Sequence, residues 1–361
     1  MSKMQKAQSI IQDRDKIDEE NKVEMDPEKM RTHDVVSTGS IMADYIIGGN
    51  KTATGEPQCP GFPRGKITEV FGPQGSGKTT LTLHACAQAQ RSGGSAVFID
   101  FENAISLDWA SKIGVDLEDD EKWHLWQPNV MEEGFELIDA YISAGVDIVV
   151  VDSIPAMTPQ KELEGNISDI DQGGIGLKAR LMSRLTQKIV NQNEGTALVF
   201  INQVRQNIST GYGGGGETTP GGNAIKFYTS LRLRLEEKST KKDQVVNELT
   251  GEEKTEPVET ETELKVIKTK VSGHRYKKGR FWIRFNQGID NIRTVIKMAE
   301  YNDLVEQKGS WFYYQTPSGE EEKVQGRQTL RDKIIEDDQL RKWLVEQVVE
   351  TDEDTEEDEE E

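Results

Sequence analysis

The stretch "FGPQGSGKTT", residues 71–80, decides the fold. Gly72-Pro73-Gln74-Gly75-Ser76-Gly77-Lys78-Thr79, with Thr80 next, has the glycine spacing and the Lys-Thr ending of a phosphate-binding loop. It follows "KITEVFG" (66–72), which reads as a buried strand, and it opens "KTTLTLHACAQAQRSGG", a helix ending at Gly93 and Gly94. In such a loop the backbone N–H groups wrap the phosphates and the helix N-terminus adds favourable potential. Lys78 then reaches the β- and γ-phosphates of ATP, and the Thr79 hydroxyl ligates Mg²⁺.

Working outward, "SAVFID" (95–100), "VDIVVVDS" (146–153) and "TALVFINQV" (196–204) are short, apolar and β-branched, as strands of a mostly parallel sheet buried on both faces are. Further on, "SLRLRLEE" and "ETELKVIKTK" read as two strands joined by a long acidic loop, with "RFWIRFN" a third. The fold class is therefore α/β with an antiparallel extension. We expect an N-terminal helical arm over 1–34, a core over 35–288, a small α+β C-terminal domain over 289–349 and an acidic, disordered tail over 350–361.

Half of the formal charge of −20 sits in that tail, which holds ten acidic groups and no basic one. A second acidic concentration, 248–263, reads likewise as solvated and disordered. Net charge therefore does not exclude a nucleic-acid partner. The tail is either a solubility device or a competitor of DNA for basic loops. No apolar run approaches the roughly 20 residues that span a bilayer, so no membrane partner is expected. Two cysteines, Cys59 and Cys86, make no disulfide framework and fit a cytoplasmic protein.

Two carboxylates accompany the loop. Asp152 ends the strand "DIVVVD", where it can hold Mg²⁺, although a carboxylate there is also a common helix cap. Glu102, just past "SAVFID", reaches the same edge of the sheet and could polarise an attacking water; the plainer reading is a surface carboxylate. The four histidines are scattered without metal-ligand spacing. Three glycine-rich stretches, 48–65, 164–176 and 209–222, interrupt the core, and the last holds seven glycines between Gly211 and Gly222.

Over residues 34–349 the chain closely resembles the bacterial RecA recombinase family, through "VVSTGS", "FIDFENA", "IVVVDSIPAMTP", "ELEGNISD", "KARLMSRL", "FINQVRQNI", "TTPGGNAIKFY" and "KVIKTK" in the family's order. The resemblance implies a RecA-like P-loop ATPase, Mg²⁺-dependent, that forms a homo-oligomeric helical filament on single-stranded DNA and exchanges strands with double-stranded DNA. By position it makes Glu102 the catalytic glutamate, Trp109 the aromatic against the adenine and Gln203 the sensor of the γ-phosphate. Lys268 and Lys270 match a pair that reaches a neighbour's γ-phosphate; residues two apart on a strand do face one side. Residues 164–176 and 205–225 match the two DNA loops, with contacts expected at Gly165, Asn166, Ile167, Arg180, Arg205, Asn207, Ile208, Tyr212, Gly221, Gly222 and Asn223. Lys226, Phe227 and Arg232 match interface residues, and Lys323, Arg327 and Arg331 are candidate duplex contacts.

The chain departs from the family at Asn103, where histidine is usual, and at Ser106, where aspartate often meets the adenine. Its first DNA loop is about three residues longer, and it carries long insertions at 50–60 and 240–260. Other readings of the same core are a ring helicase or DNA-processing motor and, from a different class, a small-molecule kinase. A kinase needs an acceptor pocket and an arginine-bearing lid, and here a seven-glycine loop stands in that region.

Overall fold

The computed structural model describes residues 33–48, 58–164, 176–206, 217–246, 253–273 and 276–350. The expected N-terminal arm up to residue 32, residues 165–175 and 207–216 of the two expected DNA loops, and the acidic tail from Thr351 lie outside the described residues.

After a short antiparallel pair, β1 (Val35–Val36) with β2 (Phe62–Pro63), come β3 (Lys66–Gly72), β4 (Ala96–Asp100), β5 (Trp123–Trp126), β6 (Ile148–Asp152) and β7 (Ala197–Gln203). A two-residue ladder, β8 (Arg205–Gln206) with β9 (Glu217–Thr218), precedes β10 (Leu231–Val246), β11 (Glu253–Thr269), β12 (Lys278–Arg284) and β13 (Gly288–Ile289). One nine-stranded sheet has the order β13-β12-β11-β10-β3-β7-β6-β4-β5. From β10 to β5 all neighbours are parallel, and from β10 to β13 all are antiparallel.

β4 and β6, in the middle of the parallel part, are apolar up to their terminal aspartates because both faces are covered. Successive side chains alternate between the faces. Val150, Val199 and Ile201 join a cluster with Leu81, Leu83 and Cys86 of α2 (Lys78–Arg91), which follows α1 (Ile41–Gly48) in the chain. Val149, Val151, Leu198 and Phe200 join the opposite cluster. There they meet Ile138 of α4 (Met131–Ala144) and Met182 and Ile189 of α6 (Leu177–Gln192); α3 (Leu107–Ile113) and α5 (Gln160–Glu164) are shorter. A last core helix, α7 (Gly222–Tyr228), precedes β10.

The C-terminal part consists of α8 (Asn291–Tyr301), the three-stranded sheet β14 (Val305–Lys308), β15 (Trp311–Gln315) and β16 (Glu321–Gln325), then α9 (Arg327–Glu336) and α10 (Asp338–Glu350). Val295, Phe312, Tyr314, Leu330 and Leu344 form its own core, and Ile41, Met42 and Tyr45 of α1 pack against it. Asn291 ties the two parts: its Oδ1 accepts from Ile41 N at 3.0 Å and its Nδ2 donates to Gly39 O at 2.8 Å. Among the described residues no helix is long and apolar enough to cross a membrane.

The acidic stretch 248–263 departs from the expectation of a solvated loop, because from Glu253 it belongs to β11, a seventeen-residue strand paired with the sixteen-residue β10. The charge count hides a period of two. Thr260, Thr262 and Leu264 turn inward and are buried, whereas Glu261 lies near Arg280 and Glu263 pairs with Lys238 at 3.2 Å.

A buried charge sits in the central strand. The Glu69 side chain is fully buried in β3, where it pairs with Arg232 of β10 and accepts from Asn202 Nδ2 of β7 at 2.8 Å. Removing one partner of such a pair strands the other charge out of water. Glu69→Ala is therefore expected to lower the unfolding free energy in a denaturant titration by about 3–5 kcal/mol. Glu69→Gln, which keeps an acceptor for Asn202, is expected to cost less.

Asp44 of α1 accepts hydrogen bonds from Ser37 Oγ, Thr38 N and Thr38 Oγ1 at 2.6–2.9 Å. Burial still raises its pKa from 3.8 to about 6, and the three donors only moderate the rise. The folded state thus holds this proton more tightly than the unfolded chain does. The associated stability is full below pH 3.8 and is lost as the pH rises through about 6. Asp44→Asn should remove this slope, so that the stability difference from wild type changes across that window and stays constant above it.

Candidate nucleotide-binding site

The C-terminal ends of the parallel strands meet at one edge of the sheet, with Gly72 level with Gln203 and Asp100 level with Asp152. Here Gly72–Gly77 turns from β3 into α2. Two glycines are required by geometry. A Cβ on Gly72 would lie 2.0 Å from Leu235 O, and Gly77, at φ +86°, would drive one to 2.4 Å from Ile283 Cδ1. No side chain caps the N-terminus of α2 at Gly77, which leaves the first-turn N–H groups facing the loop for an anion.

A cavity of about 330 Å³ opens over this turn. Gln74, Gly75, Gly77, Lys78, Thr79, Thr80, Glu102, Trp109, Asp152 and Gln203 line it, so residues far apart in sequence converge as the strand ends dictate. Pro73 and Ser76 complete the turn, with Ser76 Oγ donating to Pro73 O at 2.8 Å. Lys78 Nζ donates to the same carbonyl at 2.6 Å. Burial lowers the Lys78 pKa, while Asp152 and Glu102 oppose the shift. Trp109 Nε1 donates to Thr80 Oγ1 at 3.3 Å, which stands the indole at the cavity wall.

Thr79 Oγ1 donates to Asp152 Oδ2 at 2.7 Å. Burial pushes the Asp152 pKa to about 6, the Thr79 hydrogen bond and Lys78 lower it, and the neighbouring Glu102 and Asp100 raise it further. Among the described residues no group of three or more His, Cys, Asp or Glu could hold a metal alone. A hydroxyl and a carboxylate side by side fit Mg²⁺, which takes few protein ligands and completes its shell with phosphate and water.

Beside them, Ser153 Oγ and Gln203 Nε2 both donate to Glu102 Oε1, the latter at 3.1 Å. Two residues past Gln203 the chain pairs Arg205 with Thr218 and Gln206 with Glu217, closing the stem of the second glycine-rich loop. Gly165, Asn166, Ile167, Asn207, Ile208 and Tyr212 lie outside the described residues. Arg180, Gly222 and Asn223 are exposed, on α6 and at the start of α7, and Gly221 caps α7.

Two expected residues stand elsewhere. Lys268 Nζ donates to Lys226 O and Phe227 O at 2.6 and 3.1 Å, and Lys270 Nζ to Phe227 O at 3.3 Å. Lys270 lies just past the end of β11, and Lys268 stands near that end, opposite Thr260, which lines the cavity. Eight residues of strand separate them, about 26 Å at roughly 3.3 Å per residue. Phe227 is 71% exposed at this far edge. Arg232, expected at an interface, is engaged inside the chain by Glu69 and the face of Phe71. Arg331 is likewise spent on Asp290 at 2.6 Å, whereas Lys323 lies over Trp311 and Tyr313, and Arg327 over Phe312.

Sequence reasoning missed four lining residues: Ile201 of β7, and Thr260, Ile283 and Phe285, which the antiparallel extension carries to the cavity. Phe285 is 46% exposed, and that aromatic at the end of "RFWIRFN" was the only available signal.

Comparison with known proteins bears on the whole arrangement. A family model described as the RecA N-terminal domain matches residues 5–290. Protein RecA of Corynebacterium glutamicum is 40% identical over 316 residues, covering 87% of this chain and 76% of the relative. Protein RecA of Methylococcus capsulatus is 40% identical over 288 residues, 79% of this chain and 75% of the relative. The match to Protein RecA of Tropheryma whipplei, 38% over 306 residues, covers 84% of this chain and 63% of that longer protein. A match of this extent, carried on a phosphate loop, a strand-end aspartate and a glutamate gathered at one sheet edge, establishes that the chain belongs to the RecA recombinase family.

Proposed function

We propose that this protein is a DNA-dependent ATPase that polymerises head to tail on single-stranded DNA, pairs it with homologous double-stranded DNA and exchanges strands, in recombination and repair in the cytoplasm. One observation carries the reading. The cavity and the Lys268/Lys270 pair lie at opposite ends of the same sheet, which supports a role for the lysines at the cavity of a second copy rather than at their own. A contact between two different faces propagates into a helix rather than closing a dimer.

In the composite site the Gly72–Thr80 turn and Lys78 hold the phosphates of ATP, and Trp109 and Phe285 flank the base. Thr79 and Asp152 would hold Mg²⁺, which would supply positive charge against the phosphates. Glu102 takes the proton of a water whose oxygen bonds to the γ-phosphorus. The bond from that phosphorus to the bridging oxygen breaks, and its electron pair stays on ADP. Lys268 and Lys270 from the neighbour offset the charge of the transferring phosphoryl group, as an arginine finger does. Gln203 turns to the γ-phosphate and transmits its presence to the loop stem two residues on, so that hydrolysis loosens the grip on DNA.

Steady-state ATP hydrolysis tests this. Single-stranded DNA of unrelated sequences is expected to stimulate it strongly, and Lys78→Ala to abolish it. Absence of stimulation at every salt concentration would remove the DNA assignment.

The composite site has its own test. The Lys268→Ala/Lys270→Ala variant should bind nucleotide yet hydrolyse it at least tenfold more slowly. Mixing it with Glu102→Gln protein, itself inactive, should restore part of the rate on DNA, because each supplies what the other lacks. Failure of the mixture, with both variants filamentous, would place the lysines outside the active site.

A further inference from the structure

Glu102 is exposed at the cavity, and nothing in its own loop fixes its carboxylate; its backbone N–H is bound to Asp100 Oδ1 at 3.0 Å. Its Oε1 accepts two hydrogen bonds, from Ser153 Oγ and Gln203 Nε2. Its Oε2 has no hydrogen-bond partner among the described residues. One oxygen is therefore anchored and the other is open to a water.

The two donors differ in kind. Gln203 is half-buried, has a long side chain and is the residue that turns to the nucleotide in the mechanism above. Ser153 is fully buried, with a single rotatable bond to its oxygen. Its backbone is fixed on both sides: Phe101 N donates to Asp152 O at 2.7 Å, and Ala156 N donates to Ser153 O at 3.0 Å. The first of these bonds clamps the ends of β4 and β6 together, bringing Glu102 and Ser153 within reach of each other. Ser153 cannot follow the nucleotide.

We propose that Ser153 is the positioning residue of the Glu102 carboxylate: it holds Oε1 when Gln203 leaves for the γ-phosphate, so that Oε2 stays aimed at the water. Gln203 and Ser153 share the load in the nucleotide-free state, and Ser153 carries it alone during hydrolysis. The inference rests on the reading of Glu102 as the base. A misplacement of about 1 Å in such a group costs roughly 100-fold in rate, which sets the scale of the effect.

The test uses the full chain on single-stranded DNA. Ser153→Ala should lower kcat by about 10–100-fold. The KM for ATP and nucleotide affinity, read from Trp109 fluorescence, should stay within about twofold. A general packing defect would instead weaken binding, so KM rising in step with the fall in kcat overturns the proposal, as does an unchanged kcat.

A second readout needs no turnover. Thermal unfolding midpoints of Ser153→Ala, Glu102→Ala and the double variant should be non-additive if the hydroxyl bonds the carboxylate. Additive shifts overturn the contact. Glu102→Gln hydrolysing ATP at the wild-type rate would overturn the role of Glu102 itself, an outcome distinct from failure of the Ser153 variants.

Discussion

The arrangement depends on one buried charge. Glu69 lies in the middle of β3, with a fully buried side chain, between β7 and β10. Water cannot stabilise it there, so the fold must bring it Arg232 from one side and Asn202 from the other. Both partners are set by register: Arg232 is opposite Glu69 on β10, and on β7 Asn202 stands two positions beyond Phe200, the residue opposite Glu69, and so on the same face. A slip of either strand by one residue would turn the partner to the other face. The pair thus specifies how the strand that feeds the phosphate loop sits between its two neighbours. Asn202 extends the constraint, since its Nδ2 also donates to Pro220 O at 2.9 Å and its Oδ1 accepts from Gln203 N at 2.9 Å. The root of the second glycine-rich loop is therefore tied to the centre of the sheet.

From that centre the two edges acquire different chemistry. Parallel strands deliver their C-terminal ends to one edge, and the first-turn N–H groups of α2 make it an anion site. The opposite edge shows the start of β10, the exposed Phe227 and the two lysines of "IKTK". β11 runs antiparallel across the full height of the sheet and puts Thr260 at the first edge and Lys268 near the second. A single strand thus contributes to the cavity at one edge and carries the lysines to the other, so the two edges of the chain differ in kind.

Much of this was legible in the sequence, and the failures have physical causes. The four long parallel strands could be read because burial on both faces forces an unbroken apolar run, as in "DIVVVD". Edge strand β5, "WHLW", went unread because it is covered on one side only and keeps His124 exposed. Both strands of the β10–β11 hairpin were read, but their outer parts were taken for an acidic loop because glutamate dominates the composition there, although Thr260 and Thr262 alternate inward. For the site, Lys78 and Thr79 stood out through the phosphate-loop pattern and Asp152 and Glu102 as carboxylates at strand ends, whereas Gln203 was named only through the family resemblance. Ser153 and Phe285 did not stand out, because a serine after a strand and an aromatic near a turn gain meaning only from what stands opposite them in space.

The phosphate loop is also braced more firmly on one flank than on the other. On the side of the antiparallel extension, Leu235 O lies so close to Gly72 that no side chain would fit, Ile283 closes on Gly77, and Thr262 Oγ1 lies 3.5 Å from Ser76 O. These contacts hold the loop in a phosphate-ready shape before any ligand arrives, a cost met in folding rather than in binding. On the other side, the link through Gln203 and Glu102 rests on single hydrogen bonds between side chains. Nucleotide can exchange those bonds without disturbing the packed core. The turn thus has a rigid flank on one side and, on the other, a flank joined only by replaceable hydrogen bonds. The asymmetry follows from the sheet order, which sets β10 on one side of β3 and β7 on the other.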